Sequence, residues 1–272
     1  MRESISEQEV AAVIEHLDVA ATSRVTIAGF ITNGNIHPVT VKLATGNGAI
    51  ALQRINEAVF RSPEQVASNM QAVWAHLCAS RRNGTATLEL VRWKDGGLVH
   101  RNRHGCWRAT RFWEDTEVHV RPPSREHAHQ AGRAIGQFHE RLLDFKGELP
   151  EVIAGYHQQP SYECRLNEQL ERNCKQSGRR GIPTEILDLV RCITSHGLEW
   201  EMRDFGWHVS HGLLPLRVVH RDCKLQNVAF ECGTPYVRGL LDWDTIGRDT
   251  IHMDIGDLLR SCCNPAGFRP DR

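Results

Sequence analysis

The stretch from Val218 to Phe230 reads V-V-H-R-D-C-K-L-Q-N-V-A-F, and it decides how the whole chain is interpreted. Apolar residues precede its polar centre and follow it, so the pattern indicates a loop between two short strands. Within the loop, Asp222 is followed by Lys224 after two residues and by Asn227 after five. A carboxylate, an ammonium group and an amide at this spacing are the groups that phosphoryl transfer from ATP requires.

A second acidic motif follows one more apolar run. Residues 237–241 lead directly into Asp242, Trp243 and Asp244. The amide oxygen of Asn227 and the carboxylate of Asp242 are the hard oxygen ligands that suit Mg²⁺. Asp244 is interpreted either as a ligand of a second metal ion or as a carboxylate that supports the first site.

These residues together predict a phosphotransferase that uses ATP and Mg²⁺. Asp222 is the predicted acceptor of the proton of the substrate hydroxyl, and Lys224 places positive charge on the γ-phosphate. Asn227, Asp242 and Asp244 are the predicted metal ligands. The competing interpretation is a polar turn that holds these residue types by chance. Four polar residues at this spacing, followed by an Asp after the next strand, disfavour that interpretation.

The composition excludes several other classes of protein. The chain has 272 residues with 33 Lys and Arg against 33 Asp and Glu, so bulk charge predicts neither nucleic-acid binding nor a polybasic membrane anchor. No apolar run reaches membrane-spanning length, and the polar N-terminus does not resemble a signal peptide. The nine cysteines form no C-x-x-C pair, which is typical of reduced thiols and predicts a cytoplasmic location.

Periodicity and turn signals predict an α+β chain in two lobes. The first lobe, residues 1–113, is predicted to hold an antiparallel sheet and a helix that starts after an N-cap at Ser62 with Pro63 at its first position. Gln65 is expected to close a capping box there. The predicted strands are Arg24–Ile31, Pro38–Leu43, Ala49–Ile55, Thr85–Trp93 and Cys106–Trp113, and a further helix is predicted over residues 4–19.

Residues 114–123, which end in two prolines, are predicted to link this lobe to a mostly helical one over residues 124–272. The second lobe carries the polar loop. Its predicted helices are Ser124–Phe145, Tyr162–Cys174, Pro183–Arg203 and Ile255–Cys262.

The catalytic stretch matches the protein-kinase pattern of an Asp followed by an Asn, but other protein-kinase signatures do not occur. There is no G-x-G-x-x-G, and D-W-D stands where D-F-G would be. The chain instead resembles the aminoglycoside phosphotransferase and choline kinase superfamily, in which an H-x-D-x-x-x-x-N loop precedes D-[apolar]-[DE] and a D-x-x-D helix.

Within that superfamily the chain is most similar to the N-acetylhexosamine 1-kinase group. The stretches that carry the resemblance are Leu52–Asn56, Trp107-Arg108, Gly132–Leu149, H-R-D-C-K-L-Q-N, L-D-W-D-T and Asp254–Asp257. The resemblance implies a bilobal protein-kinase-like fold, ATP with Mg²⁺ as donor, and a free amino sugar phosphorylated at its anomeric hydroxyl. It implies Asp222 as the base and Asn227 with Asp242 as metal ligands.

The nucleotide side of the site is less sharply defined by the sequence. Residues 50–53 (I-A-L-Q) align with the V-A-I-K strand of kinases, which puts Gln53 where a Lys would stand. Arg54 is adjacent but faces the other way on a strand. Gln53, Arg54 and the turn glycine Gly34 are the predicted nucleotide-binding residues, and a solvent-facing polar pair is the alternative for the first two.

Two departures from the resembled group keep other functions open. The early loop Gly34–Val39 keeps Gly34 and Ile36 of the group's G-H-I-N-D-T but loses its His, Asn, Asp and Thr. The second lobe is also expected to be incomplete, because the chain ends soon after Asp257 while relatives continue for several helices. The alternatives are an aminoglycoside- or choline-type kinase, and a weakly active pseudokinase that acts as a binding module.

Overall fold

The structure is a computed structural model that describes residues 6–19, 26–31, 39–46, 48–80, 82, 84–157, 168, 172 and 205–264. The chain divides into two compact units. The larger combines Met1–Val152 with Arg217–Arg272, and the smaller is Ile153–Leu216. Within the described ranges, no helix is long and apolar enough to span a lipid bilayer.

The smaller unit contains a helix over residues 205–210. The helices predicted at Tyr162–Cys174 and Pro183–Arg203 fall outside the described residues, apart from two positions. Glu168 and Arg172 are both helical, and their side chains form an ion pair of 3.6 Å across one turn.

The larger unit begins with helix α1 (Glu7–Ile14) and a six-stranded antiparallel sheet. The strands of the sheet are β1 (Thr26–Ile31), β2 (Val39–Thr45), β3 (Gly48–Ile55), β4 (Leu90–Val91), β5 (His100–Asn102) and β6 (Gly105–Phe112). Their order is β1-β2-β3-β6-β4, with β5 pairing with β6. The apolar face of α1 packs against this sheet, because Val10 and Val13 belong to the same buried cluster as Ile50 and Trp107.

Helix α2 (Pro63–Ala79) follows β3 and starts as the sequence predicts. The Ser62 side chain accepts a hydrogen bond from the backbone N–H of Gln65, and Pro63 occupies the first turn. The capping-box prediction is wrong in one detail, since the Gln65 side chain donates to Asn69 Oδ1 at 2.9 Å. That bond stabilises the helix by joining neighbouring turns.

The strand predicted over Thr85–Trp93 is reduced to β4. The start of this segment pairs outside the sheet, because the backbone N–H of Ala86 donates to the carbonyl of Arg238 at 2.7 Å. At the far end of the segment, Trp93 forms an isolated β-bridge with Leu17, which lies just after α1. Contacts distant in sequence therefore override the local strand preference.

The remaining elements carry and support the polar loop. Helix α3 (Arg125–Arg141) is capped by Ser124 and buries the predicted face of Ala131, Ile135 and Phe138, but it ends before the predicted Phe145. The other elements are β7 (Thr116–Glu117), β8 (Arg217–Val219), β9 (Val228–Glu231), β10 (Val237–Leu240), β11 (Gly247–Asp249) and helix α4 (Ile251–Cys262).

Strand β7 lies within the predicted linker 114–123 and pairs with β9, which pairs in turn with β10. Strands β8 and β11 form a separate two-stranded ribbon. The lobe boundaries at 113 and 124 stay a prediction. Helix α4 begins at Ile251, earlier than the predicted Ile255.

Candidate active site

The polar loop His220–Asn227, called the H-R-D loop below, begins where β8 ends. Its first two residues are fixed by Asp254 of helix α4. The backbone N–H groups of His220 and Arg221 donate to the two oxygens of the Asp254 carboxylate at 2.9 and 2.7 Å. A carboxylate that accepts hydrogen bonds from two consecutive backbone N–H groups fixes both the position and the orientation of the loop.

Asp254 is completely buried and has a further partner, His139 of α3, whose Nε2 lies 2.7 Å from its Oδ2. Burial by itself raises the pKa of a carboxyl group. Here the hydrogen bond from His139 and the attraction of His220 outweigh burial, and the pKa of Asp254 is lower than its ordinary value. Asp254 is therefore charged when the protein is folded near neutral pH.

The ring of His220 supports the loop. It is fully buried, and its Nε2 lies 2.7 Å from the carbonyl oxygen of Leu241, the residue that ends the following hairpin. The Thr245 hydroxyl donates to the carbonyl oxygen of His220 at 2.9 Å. His220 thus connects the H-R-D loop with the second acidic motif.

The side chain of Arg221 does not face solvent. Its side chain is buried, and Nε lies 3.3 Å from Oδ2 of Asp249 on β11. Its backbone has a φ of 68°, which is in the left-handed region. A non-glycine residue keeps this conformation only where its surroundings fix it, as the Asp249 and Asp254 contacts do here.

Asp222, Lys224 and Asn227 meet as the sequence spacing predicts. Lys224 Nζ lies 2.6 Å from Oδ2 of Asp222, and Asn227 Nδ2 donates to the same oxygen at 2.9 Å. The Asn227 amide nitrogen also donates to the backbone oxygen of Asp222 at 2.8 Å. Both of these side-chain bonds fall on Oδ2 of the Asp222 carboxylate.

Asp242 lies beside Asn227 because hairpin β9–β10 brings its two ends together. The backbone N–H of Leu241 donates to the carbonyl oxygen of Asn227 at 2.8 Å, directly before Asp242. Asp242 itself has φ 59° and ψ 58°, a second left-handed residue in the site. Backbone strain of this kind is concentrated at functional sites.

The residues present fit a divalent cation. The amide nitrogen of Asn227 is turned toward Asp222, so its oxygen is the end presented to a ligand. An amide oxygen and the Asp242 carboxylate make the hard donor set that Mg²⁺ prefers. Asn227 and Asp242 would hold the ion, with the nucleotide phosphates and water completing its coordination.

Asp244 has a different environment from Asp242. Its side chain is only 2% exposed and forms an ion pair with Arg108 of strand β6, which is 1% exposed. Arg108 also donates to Oε1 of Gln53, from Nε at 3.1 Å and from Nη2 at 2.9 Å. Arg108 therefore links Gln53 with Asp244. It is not among the predicted site residues.

Arg54 points away from this group, as alternation on a strand requires. Its Nη1 donates to the carbonyl oxygen of His104 at 3.3 Å, in the turn between β5 and β6. Gly34, the third predicted nucleotide-binding residue, lies outside the described residues. The structure thus brings Gln53 toward the second acidic motif and turns Arg54 away from Gln53.

Arg108 stands within the apolar run C-W-R-A (residues 106–109), which is a sequence signal for a buried arginine. Strand β6 is buried on both faces from Cys106 to Thr110, so an arginine in its centre needs a buried partner. Which partner it takes depends on the pairing of Gln53 with Arg108 across β3 and β6. That register is fixed by the folded sheet and cannot be read from either strand alone.

A cavity of about 270 Å³ opens beside Asp222. Its lining includes Val120, Asp222, Lys224, Gln226, Arg260, Ser261 and Asn264. Arg260 pairs with Asp257 at 2.9 Å, one turn away on α4. Among the described lining residues, Asp222 supplies the sole carboxylate, and the rest are cationic, amide, hydroxyl or aliphatic groups.

Comparisons with known proteins support the kinase-like interpretation of the fold. The family model described as the phosphotransferase enzyme family (APH) matches residues 30–272. A solved spectinomycin phosphotransferase in complex with ADP and spectinomycin is 13% identical, with a TM-score of 0.57, over 94% of this chain and 74% of that chain. An aminoglycoside phosphotransferase from Alicyclobacillus acidocaldarius is 15% identical, with a TM-score of 0.53, over 95% and 71%.

The choline kinase of Streptococcus pneumoniae is 13% identical, with a TM-score of 0.51, over 87% of this chain and 70% of that one. At these identities the similarity shows the fold. The predicted α+β, kinase-like class, with an antiparallel sheet followed by helices, is confirmed.

Proposed function

The chain belongs to the phosphotransferase enzyme family, and on that premise we propose that it transfers the γ-phosphoryl group of ATP to the anomeric hydroxyl of an N-acetylhexosamine. Asp222 accepts the proton of the attacking hydroxyl, and Lys224 stabilises negative charge on the transferred group. Asn227 and Asp242 hold Mg²⁺, which neutralises charge on the phosphates when bound. Gly34 and Gln53 are the proposed nucleotide contacts, and Arg54 could join them only by leaving the His104 carbonyl.

The observation that carries the choice of acceptor is the lining of the cavity beside Asp222. Lys224 and Arg260 supply positive charge there, while Gln226 and Asn264 supply amides that can bond to hydroxyl or acetamido groups. Both cations are paired, Lys224 with Asp222 and Arg260 with Asp257, so the described lining offers a cationic acceptor no excess of negative charge. This balance supports a neutral, hydroxyl-rich acceptor.

A second candidate is a kinase of a cationic acceptor, such as an aminoglycoside or choline. The solved structures with the same fold favour it, because they include an aminoglycoside phosphotransferase and a choline kinase. The reduced, unpaired cysteines among the described residues and the use of ATP support a cytoplasmic enzyme in either case.

The test is an ADP-release assay with Mg·ATP and a panel of acceptors. The panel contains N-acetylglucosamine, N-acetylgalactosamine, their O1-methyl glycosides, choline and an aminoglycoside. We expect ADP release with a free N-acetylhexosamine and none with its methyl glycoside, whose anomeric oxygen carries no hydrogen. Release with choline or the aminoglycoside alone would select the second candidate. Equal release with the free sugar and its glycoside would remove the anomeric assignment.

A binding module without turnover gives a different result. Thermal shift with Mg·ADP would then show stabilisation, since a ligand that binds only the folded state raises its melting temperature. No acceptor of the panel would release ADP. That combination would contradict the proposed catalytic function and leave only nucleotide binding.

A further inference from the structure

One guanidinium group joins three separate parts of the larger unit. Arg108 on β6 stands directly opposite Gln53 on β3 in the strand register. It donates twice to the Gln53 side chain, while its Nη1 lies 3.1 Å from the sulfur of Met70 on α2 and bonds to the Asp244 carboxylate. The sheet, helix α2 and the second acidic motif therefore share one buried cation.

The pairing of this cation with Asp244 is tightly constrained. The side chains of Arg108 and Asp244 are 1% and 2% exposed, so neither charge is solvated by bulk water. A charge in such a place needs a compensating partner, and removing either one leaves the other uncompensated. The Asp244 carboxylate is thus directed to the sheet, while the cation-binding oxygens of the site come from Asn227 and Asp242.

The residue that this pairing affects is Asp242, two positions before Asp244 in the turn Asp242–Asp244. Asp242 has a left-handed backbone, which persists only when neighbouring contacts fix it. Buried Trp243 contributes one such contact through its Nε1, which donates to the carbonyl oxygen of Leu240 at 2.8 Å. The Arg108–Asp244 pair fixes the other side of the turn.

Protein kinases join the same regions with a lysine on the third strand and a glutamate on the helix. In this chain the third-strand position is the uncharged Gln53, and the helix presents Met70 toward the site. Here the positive charge is carried by Arg108 on the neighbouring strand β6, and its anionic partner is Asp244 in the second acidic motif.

We propose that Arg108 is a positioning residue for the cation site: through Asp244 it holds the turn Asp242–Asp244 so that the Asp242 carboxylate faces a Mg²⁺·nucleotide complex. This inference rests on the proposed function, since it concerns the metal-dependent part of nucleotide binding. It also assigns Asp244 to support of the site and away from direct metal binding.

The experiment measures the melting temperature of the full chain with ADP at a fixed concentration and Mg²⁺ over a titration. The variants are R108M/D244N, which removes both charges together, and R108K, which keeps the positive charge. The matched control is R141M, because Arg141 is another buried arginine that bonds to backbone carbonyls of Leu77 and Thr85, at 2.7 and 3.0 Å, and has no contact with Asp244.

We expect the Mg²⁺ concentration at half-maximal shift to rise at least about tenfold in R108M/D244N, as for other residues that support a metal ligand. R108K and R141M should stay within about threefold of the wild type, and ADP without Mg²⁺ should bind the double variant as well as it binds the wild type. A half-point in R108M/D244N close to that of the wild type would overturn the inference.

Two further outcomes would also overturn it. In one, Mg²⁺-free ADP binding falls as much as the metal-dependent shift. In the other, R108M/D244N and R108K fail to fold while R141M folds, because the pair would then be a folding contact alone. If the wild type itself shows no shift with Mg·ADP, the proposed function fails instead, so the two failures are distinguishable.

Discussion

Lys224 Nζ lies 2.6 Å from Oδ2 of Asp222, and Asn227 Nδ2 donates to the same oxygen at 2.9 Å. These two bonds fix one carboxylate oxygen of Asp222 and hold the Lys224 ammonium group against it. The first predictions concern these two side chains.

Asp222→Asn should lower kcat by at least about 100-fold, because an amide cannot accept the proton of the acceptor hydroxyl. The change preserves the shape of the side chain, so the thermal shift caused by Mg·ADP should persist. Steady-state ADP release and thermal shift measure the two effects separately. A variant that turns over at the wild-type rate would show that Asp222 is not the base.

Lys224→Met should lower kcat by about 100-fold or more by removing positive charge from the transferred group. The KM for ATP should change much less, since the contact matters chiefly when charge moves in the transition state. Lys224→Arg is the matched control that retains charge with a different geometry. A rise in KM for ATP with unchanged kcat would instead assign Lys224 to ground-state binding.

Asp254→Asn should reduce the free energy of unfolding by about 2–4 kcal/mol, because the buried carboxylate accepts two backbone bonds and one from His139. Urea denaturation at pH 7 measures this loss. Asp257→Asn, one turn along α4, is the control: its partner Arg260 is exposed, and the loss should be about 0.5 kcal/mol or less.

The same carboxylate predicts how stability depends on pH. The pKa of Asp254 is lower in the folded protein than its ordinary value of 3.8, so the folded state binds fewer protons at this group than the unfolded state. Its contribution is complete above the ordinary pKa and is lost as pH falls through the lower, folded pKa. Denaturation midpoints of Asp254→Asn should therefore fall less than those of the wild type as pH drops below about 4.

Gly239→Ala should destabilise the protein by about 1–3 kcal/mol through overpacking. A Cβ at Gly239 on β10 would lie 2.7 Å from the carbonyl oxygen of Ala86 and would also clash with the Trp113 ring. Gly136→Ala on α3 is the contrasting control. A Cβ there meets nothing within 4 Å, and alanine should stabilise the helix by about 0.5–1 kcal/mol. Thermal or urea unfolding of both variants distinguishes them.

Local chemistry accounts for the parts of the fold that the sequence predicts well. Ser62 and Ser124 cap their helices with side-chain bonds to residues three positions on, so both starts are visible in short windows. The spacing of Asp222, Lys224 and Asn227 is similarly local, because one loop carries all three. Such features need no knowledge of distant contacts.

The features that were missed depend on contacts between distant segments. Arg108 meets Asp244 across 136 positions of sequence, and His139 meets Asp254 across 115. Arg221 is buried because β11 brings Asp249 beside it. Each residue alone reads as an ordinary polar side chain, and only the folded arrangement gives it a partner.

The contiguity of the loop, the β9–β10 hairpin and the second acidic motif has an evolutionary consequence. The proposed base, the lysine and both proposed cation ligands are encoded by one short segment, and the bond from Leu241 to Asn227 closes that segment on itself. The cavity beside Asp222 is lined partly by that segment, through Gln226, and partly by two others, Val120 and helix α4 with Asn264. Substitutions at Val120 and along α4 can therefore change the proposed acceptor cavity while the proposed phosphate-binding residues stay the same, and diversification within such a lineage should concentrate in those flanking segments.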